Sequence, residues 1–216
     1  MSFRLGNSLQ HVALIPDGIR RWARSKGVSL DRAYNQVSTA LSNISDAVYT
    51  HGAKSLSVYV LSKSNLQRNS AELDLTFASH IRIFREVLPY LVDKWQVRVF
   101  HTGDATCVPP EYMSALQEVC VDSCKRRNNR EIYICAGYSV DWELNNGHGL
   151  AFTRHVPHQI DMLIRTGGEQ RLSGFLPLQL QYAEFFFLQK FFPDVNGNDI
   201  DTAIQEFYKR DRRFGR

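Results

Sequence analysis

The sequence predicts an α/β fold, with one domain over residues 1–216 and about six mainly parallel strands flanked by helices. Two observations support this prediction. Short apolar runs rich in β-branched residues alternate with longer segments of helical period, which is typical of a parallel sheet covered by helices. The chain of 216 residues is also 44% hydrophobic, the size and composition of one ordinary domain that can bury its own core.

Each element follows from local composition. Six short apolar segments are predicted to form the strands, in chain order 11–15, 55–61, 97–100, 131–136, 161–164 and 184–188. Segments with a helical spacing of apolar residues predict helices over 32–50, 71–93, 111–126 and 199–210. Asn198 is the expected N-cap of the last helix. The stretch 138–157 is rich in Gly, Asn and His and is predicted to be a loop.

The charge balance argues against two classes of partner. The chain has 26 Lys and Arg against 22 Asp and Glu, a net charge of +4. We expect no nucleic-acid partner, because the basic residues are not gathered on one predicted helix and no base-stacking motif occurs. No apolar run approaches the length of about 18 residues that spans a membrane, and the N-terminus lacks the apolar segment of a signal peptide. We therefore expect a cytoplasmic protein without stable membrane insertion.

Ligands of open α/β sheets bind beyond the carboxyl ends of the strands, so the residues after each strand are candidates for a site. After the first strand come Asp17, Gly18, Arg20 and Arg21, followed by Trp22. A glycine lets the backbone approach closely, a helix N-terminus offers free N–H groups, and arginine presents a planar fork to phosphate oxygens. The loop therefore suits a phosphate with a metal ion beside it. An Asp-Gly turn with solvated arginines would account for the same residues.

Two later loops add further donors. The loop after the second strand carries Ser62, Asn65 and Arg68, although an ordinary surface loop has the same composition. The loop after the strand at 161–164 surrounds a Gly-Gly turn with Arg165, Arg171 and Ser173. This dense set of donors indicates a second anion site.

These loops together predict a site for two diphosphates and a divalent ion. Asp17 and Glu184 are the candidate hard oxygen ligands for Mg²⁺. A hydrocarbon tail would need apolar walls, and core packing is the alternative role for the apolar residues Phe175, Leu176, Phe185, Phe186 and Phe187.

At these residues the sequence resembles the cis-prenyltransferases, the family of undecaprenyl diphosphate synthase. Residues 11–18 followed by Arg21, Trp22 and Ala23 are similar to the family's first motif, and residues 161–173 are similar to its Asp-x-x-Ile-Arg-Thr-Gly-Gly-Glu-x-Arg-x-Ser motif. Glu184 and the C-terminal residues 210–215 also match, the latter like the family's Arg-x-Gly element. The resemblance covers most of the chain.

The resemblance implies an enzyme with an apolar substrate tunnel and a role for each loop. Asp17 would hold Mg²⁺ and the leaving diphosphate, and Asn65 would lie near the reacting carbons and aid proton loss. Glu184 would be the second carboxylate near the metal. The candidate substrate-binding residues are Gly18, Arg20, Arg21, Trp22, Ser62, Arg68, Arg165, Arg171 and Ser173. Of these, the resemblance implies that Arg21 and Arg68 grip the allylic donor and that Arg165, Arg171 and Ser173 bind the acceptor diphosphate. Arg213 and Gly215 would reach the partner subunit's site in a homodimer.

Departures from the family pattern narrow the implied product. Ile19 and Arg20 replace an asparagine and a glycine, Tyr34 stands where a histidine is usual, and Leu30 and Ser64 replace charged residues. The stretch between Gly137 and Asp161 is about two dozen residues shorter than expected of long-chain synthases. These features resemble the small subgroup that makes irregular, branched products of the lavandulyl type, such as isosesquilavandulyl diphosphate synthase.

The subgroup implies a head-to-middle condensation of geranyl or dimethylallyl diphosphate with dimethylallyl diphosphate, releasing inorganic diphosphate. One alternative is a regular head-to-tail synthase of short chains that uses isopentenyl diphosphate. Another is a noncatalytic partner subunit, although such a subunit would be expected to lose Asp17, Arg21 and Arg68. With the usual histidine absent, the leaving diphosphate is a candidate proton acceptor.

Overall fold

The computed structural model describes residues 8–126, 129–145, 156 and 159–213. Its sheet has six strands, namely β1 His11–Ile15, β2 Ser55–Ser62, β3 Arg98–Thr102, β4 Glu131–Tyr138, β5 Met162–Arg165 and β6 Glu184–Phe187. The strands pair in parallel throughout, in the order β3-β4-β2-β1-β5-β6. The predicted α/β class and the predicted six strands are therefore confirmed, and strand bounds differ by one or two residues at the ends.

The helices lie outside this sheet. They are α1 Ile19–Lys26, α2 Leu30–Thr50, α3 Ser70–Arg82, α4 Leu88–Trp95, α5 Pro110–Ser123, α6 Val140–Asn145 and α7 Gly197–Lys209. The prediction of Asn198 as the N-cap of α7 is wrong. The cap is Asn196, whose side chain accepts from the Asp199 N–H while the Asp199 carboxylate accepts from the Asn196 N–H, so the helix begins earlier.

The single helix predicted over 71–93 is interrupted. A π-helical turn, Ile83–Val87, separates α3 from α4. Pro89 follows this turn, and because proline lacks an N–H it removes one i→i−4 bond from the helical ladder. No helix of the described residues is long and apolar enough to cross a membrane.

The core lies on both faces of the sheet. Along β1, Val12 and Leu14 pack into the larger core cluster, which includes residues of α2, α4 and α5. Ala13 and Ile15 face the opposite way, into a smaller cluster that contains Phe175. All five residues of β1 are buried, as expected for a central strand covered on both sides.

The strand order places β1 between β2 and β5. The chain turns to opposite sides of β1 in its two halves, so this strand is the topological switch point of the sheet. The loops after β1, β2 and β5 leave the same edge side by side, and the crevice they form is where this class of fold binds ligands.

Candidate active site

A cavity of about 580 Å³ opens at the carboxyl ends of β1, β2 and β5. The structure brings most of the predicted site residues together in its wall, namely Asp17, Gly18, Arg20, Arg21, Ser62, Asn65, Arg68, Arg165, Arg171 and Ser173. The three loops that the sequence singled out separately therefore form one site.

The turn after β1 requires glycine. Gly18 has a φ of +98°, and a Cβ at this position would lie 2.6 Å from Cδ1 of Phe191. The turn is also tied to β5, because the Asp17 N–H donates to Thr166 Oγ1 at 2.8 Å and the Thr166 hydroxyl donates to the Asp17 carbonyl at 2.7 Å. This reciprocal pair fixes the backbone that carries the Asp17 carboxylate.

The Asp17 carboxylate lies between two arginines. Arg165 Nη2 is 2.9 Å from Oδ2, Arg21 Nη2 is 3.2 Å from Oδ1, and the Gly18 N–H donates to Oδ1 at 2.6 Å. Burial alone would raise the pKa of Asp17, but the hydrogen bond from Arg165 and the charge of Arg21 outweigh it, so this pKa lies below its usual value. Asp17 is therefore an anion at neutral pH.

Arg165 is the most enclosed cation of the site. Its side chain is 5% exposed, and Nη1 donates to Ser173 Oγ at 2.9 Å and to the Arg171 carbonyl. Its Nε is buried without a hydrogen-bond partner among the described residues. Ser173 and the Arg171 carbonyl therefore orient the guanidinium through Nη1, while Nη2 binds the Asp17 carboxylate.

Glu72, on the first turn of α3, was missed by the sequence reasoning. Its Oε1 lies 3.3 Å from Arg20 on α1 and 3.3 Å from Arg68 after β2, so it holds two cations from different parts of the chain. Burial lowers the pKa of Arg68, and the charge of Arg20 lowers it further. The sequence offered one signal, since Arg68 and Glu72 are four residues apart.

Glu169 plays the same part on the other side of the site. Its carboxylate lies 3.1 Å from Arg21 and 2.6 Å from Arg171. Arg24, also missed, lines the cavity as well. Six arginines and two carboxylates thus line the cavity, which leaves a net charge of +3 once Glu72 behind them is counted. Such an excess favours a multiply charged anion.

The loop after β2 is held by a capping box. Asn65 N–H donates to Ser62 Oγ at 3.0 Å, and Asn65 Oδ1 accepts from the Ser62 N–H at 3.3 Å. The amide oxygen of Asn65 therefore accepts a hydrogen bond within the loop, and its NH₂ group makes none of the capping-box contacts.

The inner part of the cavity is largely apolar, lined by Val37, Leu41, Val58, Ile83, Phe84 and Ile134. Three polar residues, Tyr34, Thr76 and His80, interrupt this wall. Tyr34 Oη is 2.8 Å from Thr76 Oγ1, and His80 Nδ1 is 3.1 Å from the hydroxyl of Tyr112. Burial, with a smaller effect of Arg68, lowers the pKa of His80 to about 4, so its ring is neutral. A continuous apolar tunnel stays a prediction.

Glu184 does not join Asp17. It is the first residue of β6 and pairs with Met162 at the amino ends of the strands, where it lies 2.6 Å from Arg210. Glu184 lies three positions before Phe187, which pairs with Arg165 at the carboxyl end of β5. Glu184 is therefore about 10 Å along the strand from the end of the sheet that carries the site. Within one chain, Asp17 and Glu184 therefore lie apart, and their joint binding of one metal ion stays a prediction.

Other predicted residues also lie elsewhere. Trp22 on α1 does not line the cavity, and its indole Nε1 is buried without a partner among the described residues. The Arg213 side chain is 75% exposed and pairs with Asp211 at 2.7 Å. Gly215 lies outside the described residues. Of the apolar candidates, Phe175, Leu176, Phe185 and Phe186 pack in or against the cores, and Phe187 contacts the ring of Phe185. None of the five lines the cavity.

The fit to Mg²⁺ rests on Asp17 alone. Among residues 8–126, 129–145, 156 and 159–213, no group of three or more His, Cys, Asp or Glu side chains is placed to hold a metal ion. Mg²⁺ commonly binds through one or two carboxylates, several waters and the phosphates of a substrate. An ionised Asp17 facing an anion cavity is compatible with that mode.

Comparisons with known proteins identify the family of the chain. A family model described as putative undecaprenyl diphosphate synthase matches residues 15–152 and 145–215. The tritrans,polycis-undecaprenyl-diphosphate synthase (geranylgeranyl-diphosphate specific) of Pyrobaculum aerophilum is 33% identical, over 95% of this chain and 95% of its own. The isoprenyl transferase of Campylobacter jejuni is 30% identical, over 97% of this chain and all of its own.

Solved structures show the same fold. The crystal structure of lavandulyl diphosphate synthase from Lavandula x intermedia, in complex with dimethylallyl diphosphate, has a TM-score of 0.86 and 26% identity over 97% of this chain and 99% of its own. A probable undecaprenyl diphosphate synthase from Campylobacter jejuni has a TM-score of 0.76 at 22% identity, over 96% and 99% of the two chains.

Proposed function

The chain belongs to the undecaprenyl diphosphate synthase family of cis-prenyltransferases and is a prenyl diphosphate synthase, and from that premise we propose that it performs a head-to-middle condensation. The donor is an allylic diphosphate, geranyl or dimethylallyl, and the acceptor is dimethylallyl diphosphate. The products are a branched diphosphate of the lavandulyl type and inorganic diphosphate.

One observation carries the assignment of the substrate class. The inner wall of the cavity is mostly apolar, and its mouth is formed by six arginines, Arg20, Arg21, Arg24, Arg68, Arg165 and Arg171. A prenyl diphosphate has the same two parts, a multiply charged head and a hydrocarbon tail, so the cavity matches it in charge and in polarity. The net charge of the mouth then favours departure of the diphosphate, because guanidinium donors stabilise the charge that develops on it.

Each side of the mouth has its own part. Arg21 and Arg68, with Arg20, bind the diphosphate of the donor, and Asp17 would hold Mg²⁺ beside it. Bound there, Mg²⁺ would supply Lewis-acid stabilisation of the leaving group. On the other side Arg171 and Ser173 bind the diphosphate of the acceptor, with Arg165 as the buried charge behind them.

The head-to-middle assignment rests on the turn after β1. Ile19 removes an amide from the donor side, and Arg20 adds a cation that Glu72 holds beside Arg68. The likeness to the lavandulyl diphosphate synthase structure that holds dimethylallyl diphosphate supports the same acceptor here. In this reaction C1 of the donor bonds to C2 of the acceptor while the donor's C1–O bond breaks. A methyl group of the acceptor then loses a proton, which forms the double bond of the branched product.

The proton goes to the departing diphosphate. Asn65 has its amide oxygen occupied by Ser62, and Tyr34 donates its own proton within a buried pair, so neither offers a free base. Replacing Asn65 by Ala tests the first point. Turnover near that of the unaltered protein is the expected result, and a loss above about a hundredfold would assign the proton transfer to Asn65.

The deciding experiment pairs substrates. The purified protein with Mg²⁺ receives dimethylallyl, geranyl and isopentenyl diphosphates two at a time, and products are identified by mass and fragmentation. Consumption of dimethylallyl diphosphate as acceptor, with a branched product, is the expected result. Consumption of isopentenyl diphosphate with refusal of dimethylallyl diphosphate would favour the head-to-tail alternative, which the similarity to undecaprenyl diphosphate synthases supports. No turnover of any pair would favour a noncatalytic subunit.

Two further properties belong to the proposal. The protein acts in the cytoplasm as a homodimer, and the C-terminal segment with Arg213 and Gly215 reaches the partner's site. Sedimentation of the full chain, compared with a chain that ends at Asp211, tests the dimer and the role of the segment separately: the shortened chain should remain dimeric and lose activity.

A further inference from the structure

The inner wall of the cavity contains a buried histidine for which the proposed reaction has no use. His80 lies on α3, is 7% exposed and lines the cavity among apolar side chains. Its only hydrogen-bond partner among the described residues is the Tyr112 hydroxyl, 3.1 Å from Nδ1. Nε2 has no hydrogen-bond partner among the described residues, and it is not one of the fully inaccessible polar atoms. It therefore keeps contact with the cavity that His80 lines.

The partner of Nδ1 determines the tautomer of His80. Tyr112 is fully buried, and its hydroxyl has no other acceptor among the described residues. The Tyr112 hydroxyl therefore donates to Nδ1, since a buried O–H that donates to nothing is strongly disfavoured. A neutral imidazole that accepts at Nδ1 carries its proton on Nε2. His80 thus presents an N–H donor, not a base, to the cavity.

Beside it, Tyr34 presents an acceptor. The Thr76 hydroxyl donates to the Glu72 carbonyl at 2.8 Å, so the Tyr34 hydroxyl must be the donor in its 2.8 Å contact with Thr76. The oxygen of Tyr34 keeps a lone pair for another group. The rings of Tyr34 and His80 are neighbours, with centroids 6.3 Å apart.

A donor and an acceptor side by side match a group that both accepts and donates, and a hydroxyl is the simplest such group. A hydroxyl accepts from Nε2–H and donates to the Tyr34 oxygen at the same time, whereas a carboxylate cannot donate and an ammonium cannot accept. We infer that His80 and Tyr34 form a hydroxyl-binding subsite at the inner end of the cavity, filled by a hydroxyl on the terminal carbon of a ten-carbon allylic donor or by a water molecule.

The length of the donor follows from α3. Glu72, beside the arginines of the mouth, and His80 are eight residues apart on this helix, a rise of about 12 Å. A ten-carbon prenyl chain spans seven carbon–carbon bonds from C1 to its terminal carbon, about 9 Å when extended at about 1.25 Å per bond. Its terminal carbon therefore ends near His80 when its diphosphate lies on the arginines. The inference rests on the proposed function for this placement of the head group.

The test measures binding by calorimetry, with thiolodiphosphate analogues that do not ionise. Geranyl thiolodiphosphate is compared with the same molecule carrying a hydroxyl on its terminal methyl. The unaltered protein should bind the hydroxylated analogue about fivefold more tightly, the value of one net hydrogen bond. His80→Leu and Tyr34→Phe should abolish this preference, and His80→Gln, which keeps an N–H donor, should retain it. Thermal unfolding of each variant checks that it is folded.

Each outcome decides a separate point. Equal binding of both analogues by the unaltered protein, with tighter binding of the plain analogue by His80→Leu, would assign the subsite to water. Equal binding that no substitution changes would overturn the subsite and leave the proposed function standing. Refusal of both analogues and of inorganic diphosphate would overturn the proposed function together with this inference.

Discussion

Thr166 fixes Asp17 through its hydroxyl, and replacing it by Val or by Ser separates that role from simple packing. The side chain is fully buried and makes two hydrogen bonds, at 2.8 and 2.7 Å, with the backbone of Asp17. Thr166→Val keeps the shape and loses both bonds. Thr166→Ser keeps both bonds and loses one methyl group.

The cost of each change follows from these contacts. In Thr166→Val neither backbone group of Asp17 is orphaned, because its N–H also donates to the Ile15 carbonyl and its carbonyl also accepts from Phe192, both at 3.0 Å. Two net hydrogen bonds are worth about 2 kcal/mol, and the added buried methyl returns about 0.8 kcal/mol. We expect a net loss of about 1 kcal/mol, or about 2–4 °C in Tm. Thr166→Ser should lose a similar amount through its missing methyl group.

The two variants should therefore lose similar amounts of stability but differ in activity. In Thr166→Val the carboxylate of Asp17 loses its backbone anchor, and we expect kcat to fall about tenfold, equivalent to about 1.4 kcal/mol of transition-state stabilisation. Thr166→Ser should retain kcat within about twofold. Urea unfolding and steady-state turnover of the two purified variants provide the comparison. Equal losses of kcat in both variants would refute the reasoning, because the hydroxyl would then have no part in placing Asp17.

Three further predictions concern the same turn. The pKa of Asp17 is lower in the folded protein than in the unfolded chain, so its stabilisation is present above the unfolded pKa and is lost as the pH falls through the folded pKa. Asp17→Asn should flatten the decline of Tm between about pH 5 and pH 2, and an unchanged decline would contradict the ion pairs with Arg165 and Arg21. Gly18→Ala should destabilise the fold by about 2 kcal/mol in urea unfolding, since φ is +98° and Phe191 must move, whereas a neutral effect would mean that the turn readjusts freely. Removal of divalent ions with a chelator should abolish turnover and added Mg²⁺ should restore it, and full activity in the chelator would exclude the metal role of Asp17.

The strands were predictable because their signal is local. Each carries an apolar run whose burial needs no knowledge of its neighbours, and β1 and β5 were placed within one residue at either end. Helix ends were less predictable. Asn196 and Asn198 are both good caps by composition, and only the side-chain exchange with Asp199 decides between them. The π turn before Pro89 was also missed, although its residues Ile83 and Phe84 line the cavity.

The site residues were predictable where they lie at the carboxyl ends of strands, because open α/β sheets bind their ligands there. Asp17 and Arg68 follow β1 and β2, Arg165 is the last residue of β5, and a parallel sheet brings the carboxyl ends of these strands together. Glu184 is the first residue of β6, so the same rule places it at the opposite end of the strands, away from the site. The sequence identified Glu184 only as a carboxylate, and the residue type alone does not tell which end of a strand it occupies.

The sequence by itself determined the fold class, the family and the loops that carry the arginines, because these depend on periodicity and on residues close together along the chain. Only the tertiary structure decided which charges meet and what lines the inner cavity. Tyr34 and Thr76 are 42 residues apart, and His80 and Tyr112 are 32 apart, yet each pair is joined by one hydrogen bond. The proton positions in these pairs follow from burial and from the other partners of each hydroxyl, and both are set by the packing of α2, α3 and α5 against one another.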